Sequence, residues 1–210
     1  MVNLNGIIGE LEKWIDERRL HHSIGVSRCA VDLAKQYGVD EEKARLAGLV
    51  HDCAKCLSLE KSLELGKRYG YDADEISQHN KALLHAPIGA HLAADLFNIK
   101  DPEILEAIAC HTTGKEDMTL LDKIIFVADY IEEDRNYPGV EEIRRLAYID
   151  LNESLLKALE LSIKSVLERG RLLHPMTIEA RNYLIMETSD EKGKCFHPIK
   201  SLKNQSKRHN

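Results

Sequence analysis

Helical spacing of apolar residues runs through almost the whole chain and constrains its fold more than any other feature. Up to about residue 188, apolar side chains recur every three or four positions, and no segment alternates with the period of two that strands show. Short connections and the lack of a fixed repeat predict a compact multi-helix bundle. The predicted helices cover about 6–19, 22–37, 41–54, 58–69, 73–82, 87–97, 102–112, 119–132, 140–148, 151–169 and 175–187. We therefore expect an all-α fold, with one domain over residues 1–188.

Capping residues support several of these boundaries. Asp40 suits the N-cap of the third helix, and Gly38 and Gly70 suit the ends of the helices before them. Pro87 and Pro102 suit the first turn of a helix, where a missing backbone N–H is harmless.

Charge and composition exclude several classes of function. The formal net charge is −6 and aromatic residues make up 5%, which argues against a nucleic-acid coat or a base-stacking surface. The apolar runs are shorter than the roughly 20 residues of a membrane span. The acidic start does not look like a signal peptide, and five cysteines without framework spacing suit a reducing compartment. We expect a cytoplasmic protein without nucleic-acid or membrane partners.

The last stretch of the chain differs from the rest. Residues 189–210 hold six lysines and arginines against two acidic residues, with few large apolar side chains. We interpret this stretch as a basic, mobile tail outside the domain; the alternative is weak binding of an anionic partner.

Histidines and aspartates lie where apolar helix faces should continue. His22 is one turn before Val26 on the apolar stripe of its helix, and His51-Asp52 follow an apolar run. The full set is His22, His51, Asp52, His85, His111 and Asp129. Any one of them could be a satisfied core or cap residue, but a lone buried carboxylate costs several kcal/mol. Because the set comes from several helices, we predict that it converges on a metal site.

The donor types indicate which metals could bind. Four imidazoles and two carboxylates are too many for one tetrahedral zinc and suit two ions such as Fe or Mn, or another divalent ion. Asp52, next to another candidate ligand, is the natural bridge between them. Two metals about 3.5–4 Å apart clamp an in-line phosphoryl displacement, for which the bridging water would be the nucleophile.

Longer motifs surround these residues. They are LVHDCAK at 49–55, HAPIGA at 85–90, IACHTTG at 108–114 and LLDKIIFVADYIEEDRNYPG at 120–139. With the spacing His22, His51-Asp52 and Asp129, the chain over about 5–188 closely resembles the HD-domain superfamily. Within it, the resemblance is to the bacterial symmetrical bis-nucleosyl tetraphosphatases of the YqeK type.

This resemblance implies an activity and a set of ligands. The family cuts diadenosine tetraphosphate into two ADP with a di-iron centre. For this chain we expect a hydroxide that bridges the two metals to attack phosphorus. The resemblance implies that all six residues of the set bind metal, with Asp52 bridging. Alternatives are an HD-type nucleotidase or phosphodiesterase, a di-iron oxygenase and, least of all, a non-catalytic nucleotide-binding regulator. Glu133-Asp134 make the segment before Arg135 more acidic than the family pattern.

Four further residues are candidates for substrate contact. Lys55 follows Asp52 by three residues, so we expect it on the same helix face, where it would stabilise the transition state alongside the catalytic Asp52. Arg135 could grip the second half of a polyphosphate, or instead form a surface ion pair. Thr112 and Thr113 could donate to phosphate, or could simply end a helix.

The aliphatic helices over 151–187 could close the core or form the face of a homodimer.

Overall fold

The computed structural model describes residues 4–191, with side chains to residue 189, and folds into α-helices. The helices are α1 (Leu4–Leu11), α2 (Glu17–Tyr37), α3 (Glu41–Val50), α4 (Leu59–Tyr69), α5 (Lys81–Leu96), α6 (Pro102–Cys110), α7 (Leu120–Ile131), α8 (Val140–Ala147), α9 (Leu151–Glu168) and α10 (Pro175–Glu191). No strand occurs in the described range, which confirms the all-α prediction. No helix in it is long and apolar enough to cross a membrane.

Several helix ends lie where the capping signals predict them. The Asp40 side chain accepts hydrogen bonds from two N–H groups in the first turn of α3. Gly38 and Gly70 adopt left-handed conformations after α2 and α4, with φ of 70° and 72°. Pro102 is the first residue of α6.

The predicted helix over 6–19 is wrong, because it contains the boundary between α1 and α2. The side chain of Asp16 accepts a hydrogen bond from the backbone N–H of Arg19 at 2.8 Å and starts α2 at Glu17. Arg19 and His22 therefore lie one turn apart on a single helix, a relationship that the predicted boundary hides.

The predicted helices over 73–82 and 87–97 are also wrong. Ser77–His79 form only a short 3-10 turn, and α5 begins at Lys81 because the Asn80 side chain accepts from the N–H of Ala82 at 3.0 Å. Pro87 lies inside α5 rather than in its first turn, so one hydrogen bond of the helix is missing there. His85 is consequently held inside a continuous helix.

Two helices end immediately before a predicted metal ligand. α3 ends at Val50 and α6 at Cys110, so His51 and His111 are the C-cap residues. The predicted ends at 54 and 112 extend these helices too far. Lys55 follows Asp52 in a series of turns rather than on α3, and its N–H donates to the Asp52 carbonyl at 2.9 Å.

A single apolar core runs through the described chain, from Ile7 to Leu184. α2 packs against α3 and α7, and α7 also contacts α6 and α9. A Cβ at Gly48 would lie 2.9 Å from the Cα of Ser27, so the glycine allows the backbones of α2 and α3 to approach closely. His22 and Asp129 lie on α2 and α7, and His51 and His111 cap the ends of α3 and α6. Of the predicted tail over 189–210, residues 192–210 lie outside the described part of the chain.

Candidate metal centre

Three of the four candidate histidines are oriented by backbone carbonyls. The Nδ1 atoms of His51, His85 and His111 lie 2.7–2.8 Å from the carbonyl oxygens of the residues three positions earlier. Because a carbonyl only accepts hydrogen bonds, each Nδ1 carries a proton. The opposite nitrogen, Nε2, then presents a lone pair when the ring is neutral.

His22 is oriented differently but to the same effect. Its Nδ1 lies 3.1 Å from Oε1 of Glu132, whose side chain is only 2% exposed. A Cβ at Gly25 would lie 2.9 Å from Oε2 of Glu132, so the glycine leaves room for this carboxylate beside α2. Glu132 thereby directs Nε2 of His22 towards the other histidines, as carboxylates do for metal-binding imidazoles.

The four Nε2 atoms converge on one region with the two aspartates. One ligand atom from each of His22, His51 and Asp129 lies within 4.8 Å of the others, and the same is true of His51, Asp52 and His111. His85 adjoins the second group, with Nε2 3.0 Å from both Asp52 Oδ1 and His111 Nε2. The structure thus brings all six predicted ligands together.

Asp52 lies at the centre of this cluster and is almost fully buried. Its Oδ1 faces His85 at 3.0 Å and His111 at 3.5 Å, whereas Oδ2 lies 3.5 Å from His51 Nε2. Burial opposes ionisation, but the adjacent His51 and Lys55 outweigh it and hold the pKa of the Asp52 carboxyl well below its usual range. The carboxylate therefore stays ionised, as a metal ligand must.

Asp129 closes the cluster from α7. Its Oδ1 lies 3.0 Å from His22 Nε2, and its carboxylate forms an ion pair with Arg135. Burial opposes ionisation here too, but the contact with His22 and the charge of Arg135 hold the pKa of Asp129 well below its usual range.

The unpaired polar atoms fit a metal site. Nε2 of His22, Nε2 of His51 and Oδ1 of Asp52 are buried and lack hydrogen-bond geometry to any partner in the described chain, although charged atoms lie near them. Burial followed by the charge of Lys55 lowers the pKa of His85 to about 3, and burial also lowers the pKa of His111. Neutral imidazoles and ionised carboxylates turned towards a common space are the donors that divalent metals bind.

Of the residues predicted to contact substrate, Lys55 and Thr112 lie at the cluster of metal-binding side chains, and Thr113 does not. Lys55 Nζ is 2.9 Å from His85 Nε2 and 3.4 Å from Asp52 Oδ1. The Thr112 hydroxyl lies 3.2 Å from His85 Nε2, whereas the Thr113 hydroxyl donates to the Gly114 carbonyl and is not brought to the site.

Arg135 is held mainly by Asp129 rather than by a surface acid. Besides the ion pair, its Nε donates to the backbone carbonyl of Asp129 at 2.7 Å and lies 3.7 Å from Glu132. The Arg135 side chain is 35% exposed and lines the cavity described next.

A cavity of about 660 Å³ opens onto the cluster, within the range typical of small-ligand sites. Among its lining residues are Lys55, His111, Thr112, Asp129, Arg135, Tyr130 and Tyr137. Cationic and aromatic side chains beside metal-binding groups suit a phosphorylated ligand with a ring.

Sequence reasoning misses two residues at this site, Arg19 and Glu132. Arg19 Nη1 donates to Asp52 Oδ2 at 2.7 Å, and Glu132 contacts His22 as described above. Each lies three residues from a predicted ligand, Arg19 before His22 and Glu132 after Asp129. That spacing of one helical turn is the signal that could have revealed them.

Comparison with known proteins agrees with this geometry. The sequence matches the HD domain family over residues 19–134. The symmetrical bis(5'-nucleosyl)-tetraphosphatase of Halalkalibacterium halodurans is 41% identical over 82% of this chain and 92% of the relative. Its namesake from Bacillus subtilis is 37% identical over 83% of this chain and 94% of the relative. The chain belongs to the symmetrical bis(5'-nucleosyl)-tetraphosphatases of the HD domain family.

A solved structure extends the match to three dimensions. The crystal structure of a predicted HD superfamily hydrolase involved in NAD metabolism from Clostridium acetobutylicum is 46% identical to this chain. It superimposes with a TM-score of 0.86 over 89% of this chain and 99% of that one. The resemblance predicted from the motifs is confirmed, and the cluster described above lies within and just around the matched HD domain.

Proposed function

We propose that this member of the family is a metal-dependent hydrolase that cleaves diadenosine tetraphosphate at its central anhydride and releases two ADP. The convergence of four histidines and two aspartates beside a cavity lined by cations supports this activity most directly. The choice of substrate is supported by the similarity to symmetrical tetraphosphatases over 82% and 83% of the chain.

The six converging side chains would hold two divalent ions. Asp52 would contribute to both, since its two oxygens face different histidines. Nitrogen and oxygen donors without a thiolate suit iron, with manganese or another divalent ion as the alternative. When bound, such ions supply positive charge to phosphate oxygens and activate water for attack on phosphorus.

Lys55 adds positive charge to the same region without being a metal ligand. Its ammonium group lies 2.9 Å from His85 Nε2, and its side chain is 32% exposed and lines the cavity. From there it would contact the non-bridging oxygens of the phosphate under attack, whose negative charge must be stabilised in the transition state. The departing ADP is an adequate leaving group at neutral pH, so a strong general acid is not required.

Thr112 and Arg135 would orient the phosphate chain. The Thr112 hydroxyl, at 3.2 Å from His85 Nε2, would donate to a phosphate oxygen in the cavity. The guanidinium of Arg135 offers several donors in a plane, and the part that faces the cavity would bind phosphate while Asp129 holds the rest.

The cytoplasmic location, the homodimer and the mobile tail remain predictions from the sequence.

Product analysis in isotopically labelled water tests the proposal. Protein reconstituted with Fe²⁺ or Mn²⁺ is incubated with diadenosine tetraphosphate in H₂¹⁸O. The nucleotide products are separated by ion-exchange chromatography, and their masses are measured by mass spectrometry. Attack of water on one of the two central phosphorus atoms predicts ADP as the only nucleotide product, with one ¹⁸O in half of the molecules.

Other outcomes distinguish the alternatives. ATP together with AMP would contradict the proposed cleavage position. Hydrolysis of a mononucleotide or cyclic nucleotide in preference to diadenosine tetraphosphate would favour the nucleotidase or phosphodiesterase alternative. Oxygen consumption by the iron-loaded protein, without hydrolysis, would favour the oxygenase.

A further inference from the structure

A second cavity, of about 440 Å³, lies beside the same cluster of metal-binding side chains. Its lining residues come from the start of α2 and from the segment after α7: Glu17, Arg18, Arg19, His21, His22, Glu132, Asp134 and Arg135. Of these, only Arg135 also lines the larger cavity.

The metal-binding side chains divide between the two cavities. His111 and Asp129 line the larger cavity, together with Lys55, whereas His22 lines the smaller one. The candidate metal centre therefore lies between two open spaces rather than at the end of one.

Such an arrangement suits symmetrical cleavage. If the central anhydride is the bond that breaks, one nucleoside diphosphate extends from each side of its bridging oxygen. An enzyme that positions the reacting atoms must then hold both halves. This step rests on the proposed function.

The two cavities differ in the chemistry that they present. The larger one has Tyr130 and Tyr137 in its wall, which suit a nucleoside ring. The smaller one has three guanidinium groups, from Arg18, Arg19 and Arg135, and these suit phosphate oxygens.

Two of the three acidic residues of the smaller cavity have partners of their own, and the third, Glu17, lies in the first turn of α2. Glu132 is buried against Nδ1 of His22, and Asp134 lies 2.8 Å from Nδ1 of His21. Both of these carboxylates are engaged with imidazoles, and a phosphate ligand in this cavity would face the three guanidinium groups.

Arg19 is the best placed of these cations. Its Nη1 donates to Asp52 Oδ2 at 2.7 Å, so its guanidinium lies directly beside the candidate bridging carboxylate. The side chain is 30% exposed, and within residues 4–189 the guanidinium has no other hydrogen bond or ion pair. A guanidinium has five N–H donors, so several remain for a ligand.

We infer that the two cavities hold the two halves of the substrate, and that Arg19 binds the diphosphate of the half in the smaller cavity. Arg19 is then a substrate-binding residue on the side of the metal centre opposite Lys55. After cleavage, each cavity holds one ADP.

Isothermal titration of ADP tests this directly on the full-length protein, loaded with Mn²⁺ and dialysed free of excess metal. The wild type is expected to bind two ADP per chain. Arg19→Met is expected to weaken the second site about 10- to 100-fold, the loss of a charge-assisted hydrogen bond. Arg28→Met is the matched control, because Arg28 is an exposed residue of the same helix and pairs with Glu133 outside the cavity. It should leave both sites unchanged.

Arg19→Lys is a second test, because it keeps the positive charge but replaces the planar guanidinium with an ammonium group. We expect intermediate ADP affinity, a raised KM for diadenosine tetraphosphate and wild-type metal content, measured by plasma mass spectrometry.

One ADP per chain in the wild type would overturn the two-cavity proposal. Metal loss in both Arg19 variants, in proportion to their loss of ADP binding, would overturn the proposed role of Arg19. Arg19 would then act by positioning the Asp52 carboxylate for metal binding. Two ADP sites in a protein that does not cleave diadenosine tetraphosphate would contradict the proposed reaction and leave the binding site standing.

Discussion

The Nε2 atoms of His85 and His111 lie 3.0 Å apart, although neither neutral ring has a proton to give the other. In both rings Nδ1 donates to a backbone carbonyl, so Nε2 carries a lone pair. Two lone pairs at this distance repel each other unless a positive charge lies close to both. Lys55 supplies one such charge, 2.9 Å from His85, and a bound cation would supply the other.

Replacing Asp52 should remove both metal binding and hydrolysis. Asp52→Asn keeps the size of the side chain but removes the negative charge from the centre of the cluster. Because metal contributes several kcal/mol of charge stabilisation, we expect kcat to fall about 1000-fold or more. Asp32→Asn is the control, since Asp32 is exposed on α2. Full activity of Asp52→Asn would contradict its role as a ligand.

Replacing Glu132 should weaken metal binding through His22. Glu132→Gln removes the charge that orients the His22 ring, and changes of this kind cost about 10- to 100-fold in metal affinity. Metal release to a competing chelator measures the effect. The neighbouring Glu133→Gln is the control, because the Glu133 side chain is 65% exposed. Equal metal affinity in the two variants would show that Glu132 does not position His22.

Replacing Lys55 should slow turnover while metal stays bound. Lys55→Met removes a charge that acts on the transition state, and we expect kcat to fall about 100-fold. Lys61→Met, at an exposed position of α4, serves as the control. Loss of metal in parallel with activity would instead make Lys55 a structural residue.

The metal-free protein should lose stability as the pH falls from 7 to 5. Burial lowers the pKa of His85 to about 3, below its value of about 6.5 in the unfolded chain. Between these values the unfolded state binds more protons, so stability rises with pH, by about 2 kcal/mol at most for this residue between pH 5 and 7.

Urea unfolding in the presence of a chelator measures this dependence. His85→Gln should flatten the change in midpoint between pH 7 and pH 5, whatever its effect on stability at pH 7. An unchanged slope in that variant would contradict a buried, neutral His85.

Much of the fold follows from local signals in the sequence. The start of α3 is set by Asp40, and the C-terminal ends of α2 and α4 are set by Gly38 and Gly70; these effects act over a few residues. The misplaced boundaries also have local causes, in Asp16 and Asn80, but there the helical spacing of apolar residues continues across the break and hides it.

The site is predictable to a similar degree. Five of the candidate ligands stand out because they lie at the end of or within an apolar run, and His85 is added from its place beside Ala86-Pro87; the structure brings all six together. Arg19 and Glu132 are polar residues at helix ends, where polar residues are ordinary. Their roles depend on contacts with Asp52 and His22, which lie 33 and 110 positions away in the sequence. Only the packing of α2 against α3 and α7 creates those contacts.

The metal content of the reconstituted protein tests the central claim most directly. Protein stripped with a chelator is dialysed against Fe²⁺ without oxygen, or against Mn²⁺, and the bound metal is measured by plasma mass spectrometry against protein concentration. Convergence of His22, His51, Asp52, His85, His111 and Asp129 on a shared site predicts two ions per chain. One ion or none, in a protein that remains folded, would contradict a two-metal hydrolase.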